Sequence, residues 1–550
     1  MIVAAFTREE GERRWWLIAI FALAILLQLE LVFNRPVNWD EFFHLSEAHA
    51  FHQGRLTEAL QVFYARAFFW LPLLPLDAID QIRVARLFML GFELFTLYAI
   101  YAMACRFSGR LAAALAALAY VTGGYVFQHG FSYRADPMAA AFLMGALWIL
   151  LASRLDRTAI LVAAVLAGLA ALTTIKVVFY APAFAGVAWL RWREAEQPQG
   201  VAMRLVGFGI AAVIFALLFI GATVLSLPDV GHGSAARTVS TSGMMMFDEG
   251  LFPRWQYGLG AMLSAPLLAI LLVATPFALG SPNLSRPQRI ALVGLLLPLA
   301  SFLFYRNAFP YYYAYILPPA MVAAAVAIEA VIGRLSAKTL SVALLANALI
   351  VSLATPRETL STQRQLLAAV HEVFPEPVAY FDYPGMVVDF PKANFFMTSW
   401  GMRKYRAGYE EALVDAMDRE VVPLLIVNHG TLEANQLGPA PGGAMLARDA
   451  EALRKGFIQH WGPIWVSGRR FPANSGPQSF EIHAPGRYTV EGASGRIDGV
   501  LHLAGQTVVL ARGPHRFEPA TPNDETILRW GDHLKRPAKP FVGGPVFRDF

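Results

Sequence analysis

Apolar residues fall in blocks of about 17–25 along this chain, the length that crosses a bilayer as helix, with short polar links between them. The pattern places eleven spans, at about residues 15–33, 83–104, 111–128, 136–153, 158–175, 176–191, 205–227, 258–279, 289–305, 310–332 and 339–354. The links alternate in character. One set carries Arg13/Arg14, Arg106/Arg110, Arg154/Arg157, Arg191/Arg193/Arg204, Arg286/Arg289 and Arg334/Lys338, and basic links mark the cytoplasmic side. The other set, residues 34–82, 129–135, 228–257 and 306–309, then faces outward. An odd number of spans carries the C-terminus outside. Charge ahead of the first apolar run, with no clear small-residue cleavage site after it, makes the first span an uncleaved helix.

The outer loop 34–82 is more than a linker. Residues 40–52 and 57–70 both space their apolar positions as helices with polar backs, suited to lying along a membrane surface. The stretch Leu71-Pro-Leu-Leu-Pro75 then breaks helix before the second span. From about residue 356 the pattern changes, and no membrane-length run follows. Residues 378–381 and 422–428 read as buried strands, and 409–419 and 447–457 as amphipathic helices. Beyond about 462, short strands alternate with tight glycine turns. The expected fold is a polytopic α-helical membrane domain over 1–355 with about eleven spans. An extracytoplasmic soluble region follows, α/β over 356–460 and β-rich, sandwich-like, over 461–550.

Composition agrees with this reading. Of 550 residues, 56% are hydrophobic and 15% charged, with a mean hydropathy of +0.46, which excludes an ordinary soluble protein of this size. The single cysteine, Cys105, excludes an intramolecular disulfide and a cysteine metal cluster. The basic residues mark orientation instead of forming a nucleic-acid surface, so no nucleic-acid partner is expected. Neither a P-loop nor a GxGxxG after a strand is present to bind a nucleotide.

The polar residues at the outer boundary carry the candidate chemistry. Asp40 and Glu41 open the first outer loop; Arg134 and Asp136 occupy the turn between spans three and four. Lys176 lies between spans five and six, and Arg306 precedes Tyr311 and Tyr312 at the start of span ten. Carboxylates and cations at one depth suit a lipid headgroup substrate. Lys and Arg neutralise a departing phosphate, Tyr hydroxyls hydrogen-bond it, and a carboxylate takes the proton of an attacking hydroxyl. One base with in-line displacement inverts the anomeric centre.

Simpler roles exist for the same residues. Asp40 suits an N-cap of a helix beginning near Phe42, and Asp136 before Pro137 suits another. Lys176 could snorkel, and Tyr311–Tyr313 could form an aromatic belt. His44, one turn after Asp40, together with His232 could hold a divalent metal. Met244–Met246 with Phe247 read as an apolar lid, residues 403–406 as a solvated basic face, and Arg86 with Glu93 as a buried structural pair.

The chain is similar to the GT-C superfamily of membrane glycosyltransferases, and most to the branch of protein O-mannosyltransferases and lipid A aminoarabinose transferases. The resemblance covers about residues 15–354. It rests on Trp39-Asp40-Glu41 after span one, the two surface helices and Arg134-Ala-Asp136-Pro137. Thr174-Ile-Lys176 and Tyr311-Tyr-Tyr313 with Leu317-Pro-Pro319 complete it. It implies Asp40 as catalytic base, with Glu41 as neighbour and substitute, and Asp136 as second acid. Lys176, Arg306, Arg134, Tyr311 and Tyr312 would hold the donor phosphate. The implied partners are a polyprenyl-phosphate sugar donor, a glycan, lipid or protein acceptor, and the lipids of a bacterial cytoplasmic membrane. The rival reading is a transporter or flippase of lipid-linked glycans, for which repeated halves with midplane polar residues are expected; the sequence shows no repeat.

Overall fold

The computed structural model describes residues 15–56, 63–226, 249–437, 445–521 and 523–548. Six helices among them are long and apolar enough to cross a membrane: Trp15–Asn34, Ala78–Ala104, Ala135–Ala152, Pro198–Ser226, Pro310–Ile332 and Ala337–Ala354. The pair Trp255–Ser264 and Pro266–Ala278, bent by 105°, makes a seventh if counted as one span. The remaining four expected spans lie in shorter or interrupted helices. Gly123 and Gly124 break the third, between Arg110–Val121 and Gly124–His129. The fifth is Arg157–Thr173, and a 3-10 turn over Ile175–Tyr180 delays the sixth to Ala181–Arg193. Pro298 turns the ninth, Arg286–Leu296, into 3-10 helix. Pro198–Ser226 is apolar, and none of its apolar stretch is buried. Such a surface is stable only against lipid.

Pro310–Ile332 runs through the middle of the bundle, 78% of its window buried. Pro318 and Pro319 lie inside it and lack the N–H groups that would satisfy the carbonyls of Ala314 and Tyr315. In a membrane an unpaired carbonyl is costly. Two tyrosines from neighbouring helices supply the missing donors. Tyr120 Oη donates to Ala314 O at 2.7 Å and Tyr180 Oη to Tyr315 O at 2.5 Å. The prolines thereby fix which helices pack against the central one.

The C-terminal region is built from strands β1 (Tyr380–Phe381), β2 (Leu424–Ile426), β3 (Phe457–Trp461), β4 (Ile464–Phe471), β5 (Gln478–Ile482), β6 (Gly486–Gly492), β7 (Gly495–Ile497), β8 (Val500–His502), β9 (Thr507–Leu510), β10 (Gly513–Pro519) and β11 (Thr526–Trp530). One sheet runs β1-β2-β4-β11-β6-β9 with β3 hairpinned to β4; the other runs β5-β10-β7-β8. Only β1 and β2 pair in parallel; the other pairings within these sheets are antiparallel. The larger sheet passes through residue 460, so the α/β part and the β-rich part share it. Phe471, Tyr488, Val490 and Leu528 of this sheet share a core with Phe480, Ile482, Ile497 and Phe517 of the other, a sandwich.

The expected surface helix near 40–52 is present as Trp39–His52. Of the second, 57–70, residues 57–62 lie outside the described residues, and the rest form a short helix, Phe63–Ala67, before a 3-10 turn. A second core joins this loop to the C-terminal region. Trp39, Phe42 and Leu45 pack in it with Tyr383, Met386, Leu424 and Phe547.

Tyr120→Phe should cost about 1 kcal/mol in unfolding measured in mixed micelles, because it orphans the Ala314 carbonyl. In a Pro318→Ala background, which restores the backbone donor, the same change should cost clearly less. Equal costs in both backgrounds would show that the hydroxyl does not serve that carbonyl.

Candidate active site

The site is organised by the start of helix Trp39–His52. Asn38 caps it: its side chain accepts from Asp40 N at 3.0 Å, while Glu41 Oε2 accepts from Asn38 N at 3.0 Å. This is a capping box, spelled Asn-x-x-Glu in the sequence. Asp40 is therefore not the cap, and the helix begins three residues earlier than Phe42. Helical spacing then separates three faces. Trp39 and Phe43 turn to the C-terminal region, with Trp39 5.8 Å from Tyr383 and Phe43 stacked on Phe396 at 4.5 Å. Glu41 turns to the membrane helices. Asp40 and His44, four residues apart, share the third face.

Glu41 is almost fully buried against Arg86. Its Oε1 accepts from Arg86 Nε at 2.7 Å and Tyr133 N at 3.0 Å; its Oε2 accepts from Arg86 Nη2 at 2.6 Å. Burial opposes its charge, but Arg86 and the Asn38 and Tyr133 amides outweigh that and hold the carboxyl at about 2. Arg86 also donates to the carbonyls of Val32, Arg35 and Pro36. The expected Arg86–Glu93 pair does not form, because seven residues of helix separate them by about 10 Å. Glu93 instead accepts from Gln28 Nε2 at 3.0 Å. Both Glu41 oxygens are thus committed to holding the loop.

Asp40 pairs with Arg134. Arg134 Nε lies 3.8 Å from Asp136, and Asp136 pairs with Lys176. The helix after the turn begins at Ala135 with Arg134 as N-cap and no side-chain cap bond, so Asp136 is not a cap; it stands in the first turn. Lys176 does not snorkel: its side chain is only 10% exposed, directed at Asp136. The 3-10 turn that carries it is capped by Thr174, whose Oγ1 accepts from Lys176 N at 3.3 Å. Four expected residues thus form one continuous chain of alternating charge.

Arg134, Asp136 and Lys176 line a cavity of about 280 Å³ together with His44, Arg306 and Tyr311; Asp40 is not among the lining residues and is linked to them through Arg134. The guanidinium of Arg134 lies over the Tyr311 ring at 3.4 Å. Tyr312 sits beneath, its hydroxyl 2.6 Å from Ser301 Oγ and its ring 5.7 Å from Lys176 Nζ. Arg306 Nε reaches Glu249 at 3.2 Å, and Arg254 holds the other oxygen of Glu249 at 3.0 Å. Three cationic side chains, Arg134, Lys176 and Arg306, are among the residues that line this cavity, which suits an anion. A larger cavity of about 480 Å³, between Pro72–Ile79 and His371, is lined by none of the expected residues.

His44 packs its ring on Tyr64 at 4.6 Å. Burial, with Arg134 nearby, pushes it down to about 3, so it is neutral near pH 7. His232 and the Met244–Phe247 segment lie outside the described residues. Among the described residues, no three His, Cys, Asp or Glu side chains converge as a metal site. The carboxylates of Asp40 and Asp136 pair with Arg134 and Lys176.

Several lining residues were not expected: Tyr64, Tyr305, Asn307 and Trp400, with Glu249 behind them. Tyr305 and Asn307 flank Arg306 and were available as a motif. Trp400 comes from the C-terminal region, and no local pattern marks it.

Glu41→Ala should destabilise the protein by about 3–5 kcal/mol in micelle unfolding, since it leaves Arg86 buried and unpaired; Asp40→Ala should cost far less. A comparable cost for both would contradict the division of roles. His44, at about 3 when folded and about 6.5 when unfolded, binds its proton more readily in the unfolded chain. Its contribution therefore makes stability fall as pH drops from about 6.5 toward 3. His44→Phe should flatten that slope in thermal unfolding followed across this window.

No family model and no curated protein matches the sequence. Among solved structures, the chain is similar to ArnT from Cupriavidus metallidurans bound to undecaprenyl phosphate. The TM-score is 0.56 at 13% identity, over 76% of this chain and 94% of that one. ArnT in the apo state gives 0.50 at 13% identity, over 68% and 84%. The apo oligosaccharyltransferase of Archaeoglobus fulgidus gives 0.50 at 11% identity, over 97% and 98%. These neighbours are GT-C membrane glycosyltransferases, and the chain has their fold.

Proposed function

We propose that this chain is a glycosyltransferase of the bacterial cytoplasmic membrane, moving a sugar from a polyprenyl-phosphate-linked donor to an acceptor hydroxyl on the outer face. The observation that carries the reading is the alternating cluster Asp40–Arg134–Asp136–Lys176 beside a cavity lined by Arg134, Lys176 and Arg306. The fold adds support, since ArnT was crystallised with undecaprenyl phosphate. The basic links on the other set of turns support an outward-facing cavity and C-terminal region.

In this mechanism the donor phosphate lies against Lys176, Arg306 and Arg134, with Tyr311 at the cavity wall and Tyr312 packed behind Lys176, its hydroxyl held by Ser301. Its arrival draws Lys176 and Arg134 toward the phosphate and loosens their hold on Asp136 and Asp40. Asp40 then takes the proton of the acceptor hydroxyl while the new bond from oxygen to the anomeric carbon forms. The bond from that carbon to the phosphate oxygen breaks, and the electron pair leaves with the phosphate, stabilised by the same cations. Asp136 orients the acceptor or the sugar. In-line attack with one base inverts the anomeric configuration. Asp40 accepts the proton, and Arg134 and Lys176 stabilise the departing charge. The acceptor is a lipid-linked glycan, lipid A, a protein hydroxyl or an envelope polysaccharide. A flippase is disfavoured, because its polar residues would be spread over repeated halves.

Purified enzyme supplied with a panel of polyprenyl-phosphate sugars should transfer one of them, with product read by mass spectrometry. Asp40→Asn should lower turnover by about 10²–10⁴-fold with donor binding preserved. Lys176→Ala should instead weaken binding of the phosphate carrier. Full transfer by Asp40→Asn would remove Asp40 as the base, and lipid translocation without transfer would favour the flippase.

A further inference from the structure

Trp400 lines the same cavity, and it is the lining residue that comes from beyond the membrane-domain limit near 355. The other aromatic walls are occupied. Tyr311 lies under Arg134, Tyr64 packs on Tyr133 at 5.0 Å, and Tyr305 packs between Phe179 at 5.1 Å and Tyr312 at 4.7 Å. Trp400 is half-buried and has neither a ring neighbour nor a hydrogen-bond partner among the described residues. Trp400 thus stands at the cavity wall as an aromatic residue without a partner of either kind among the described residues.

The segment that presents it is held firmly. Phe396 stacks on Phe43, the residue next to His44, at 4.5 Å. Phe395 stacks on Tyr405 at 5.0 Å, and Tyr405 Oη donates to the buried Asp449 at 2.5 Å. Thr398 caps helix Ser399–Arg406 by accepting from Gly401 N at 3.1 Å. The chain doubles back so closely that a Cβ on Gly401 would meet the carbonyl oxygen of Phe396. An expected solvated basic stretch is thereby the tail of a helix whose first turn reaches the cavity.

We infer that Trp400 is a specificity-determining residue whose indole is the platform for the transferred sugar of the lipid-linked donor. This rests on the function proposed above. A sugar ring has one apolar C–H face and a hydroxyl-bearing edge. The charged walls suit phosphate and hydroxyls but offer that C–H face nothing. A fixed aromatic face supplies dispersion contact there without competing for the cations, and its N–H remains a donor for a hydroxyl. The donor is favoured over the acceptor because the sugar hangs directly from the phosphate held by Lys176 and Arg306.

The test compares affinity for a sugar-bearing polyprenyl phosphate with that for the same carrier lacking sugar, in the full-length protein in nanodiscs. Trp400→Ala should lower the preference for the sugar-bearing form by about tenfold. Trp400→Phe should keep most of it, and binding of the sugar-free carrier should be unchanged in both. An unchanged preference would overturn the inference. So would an equal loss for both carriers, which marks a structural role, or a rise confined to the acceptor KM, which assigns the platform to the acceptor. Absence of transfer by the wild-type enzyme from every donor would sink the functional reading itself, and that failure appears before any variant is made.

Discussion

The site depends on one buried ion pair, Arg86 with Glu41. Arg86 reaches the carbonyls at the end of the first membrane helix and after it, at Val32, Arg35 and Pro36. Glu41 reaches back to the cap at Asn38 and across to Tyr133 N. Three chain segments meet in one charged knot: the exit from the membrane, the start of helix Trp39–His52, and the turn before Ala135. Arg134 and Asp136 lie within three residues of Tyr133, and Asp40 is next to Glu41. A pair that is strongly penalised when broken therefore fixes three of the site's charged groups relative to one another. The adjacent acids differ in their partners: Glu41 holds Arg86 and the loop, while Asp40 pairs with Arg134.

The C-terminal region completes the cavity. Trp39 and Phe43 anchor it through Tyr383 and Phe396, and Phe42 meets Phe547 at 5.9 Å. The same helix thus carries the ion pair on one face, the aromatic seam on a second and Asp40 with His44 on the third. Any movement of the C-terminal region transmitted through this seam acts directly on the helix bearing Asp40. Trp400 enters the cavity by the same route.

Much of the fold was legible because bilayer length and binary pattern are strong local signals. The helix after the first span and the strands over 486–492 and 507–510 follow from them. The convergence of Asp40, Arg134, Asp136 and Lys176 could be anticipated from alternating link charge, since residues at one boundary must meet at one depth. Shorter signals were missed. Asn38-x-x-Glu41 is a capping box, yet the acidic pair drew attention away from it. Arg86 and Glu93 looked like a pair because they share a helix, whereas the partner of Arg86 is 45 residues away in sequence. The pairing of Tyr120 and Tyr180 with carbonyls freed by Pro318 and Pro319 is set by tertiary packing, as is the arrival of Trp400. Neither has a periodicity to reveal it.

The central claim is that Asp40 reacts while Glu41 supports it, and the turnover of Glu41→Gln tests this most directly. Glutamine keeps the shape and accepts from Tyr133 N but cannot act as a base. Measured below its own unfolding temperature and normalised to folded protein, this variant should transfer sugar within about tenfold of wild type. A loss as deep as that of Asp40→Asn, with donor binding intact, would make Glu41 the base and contradict the account.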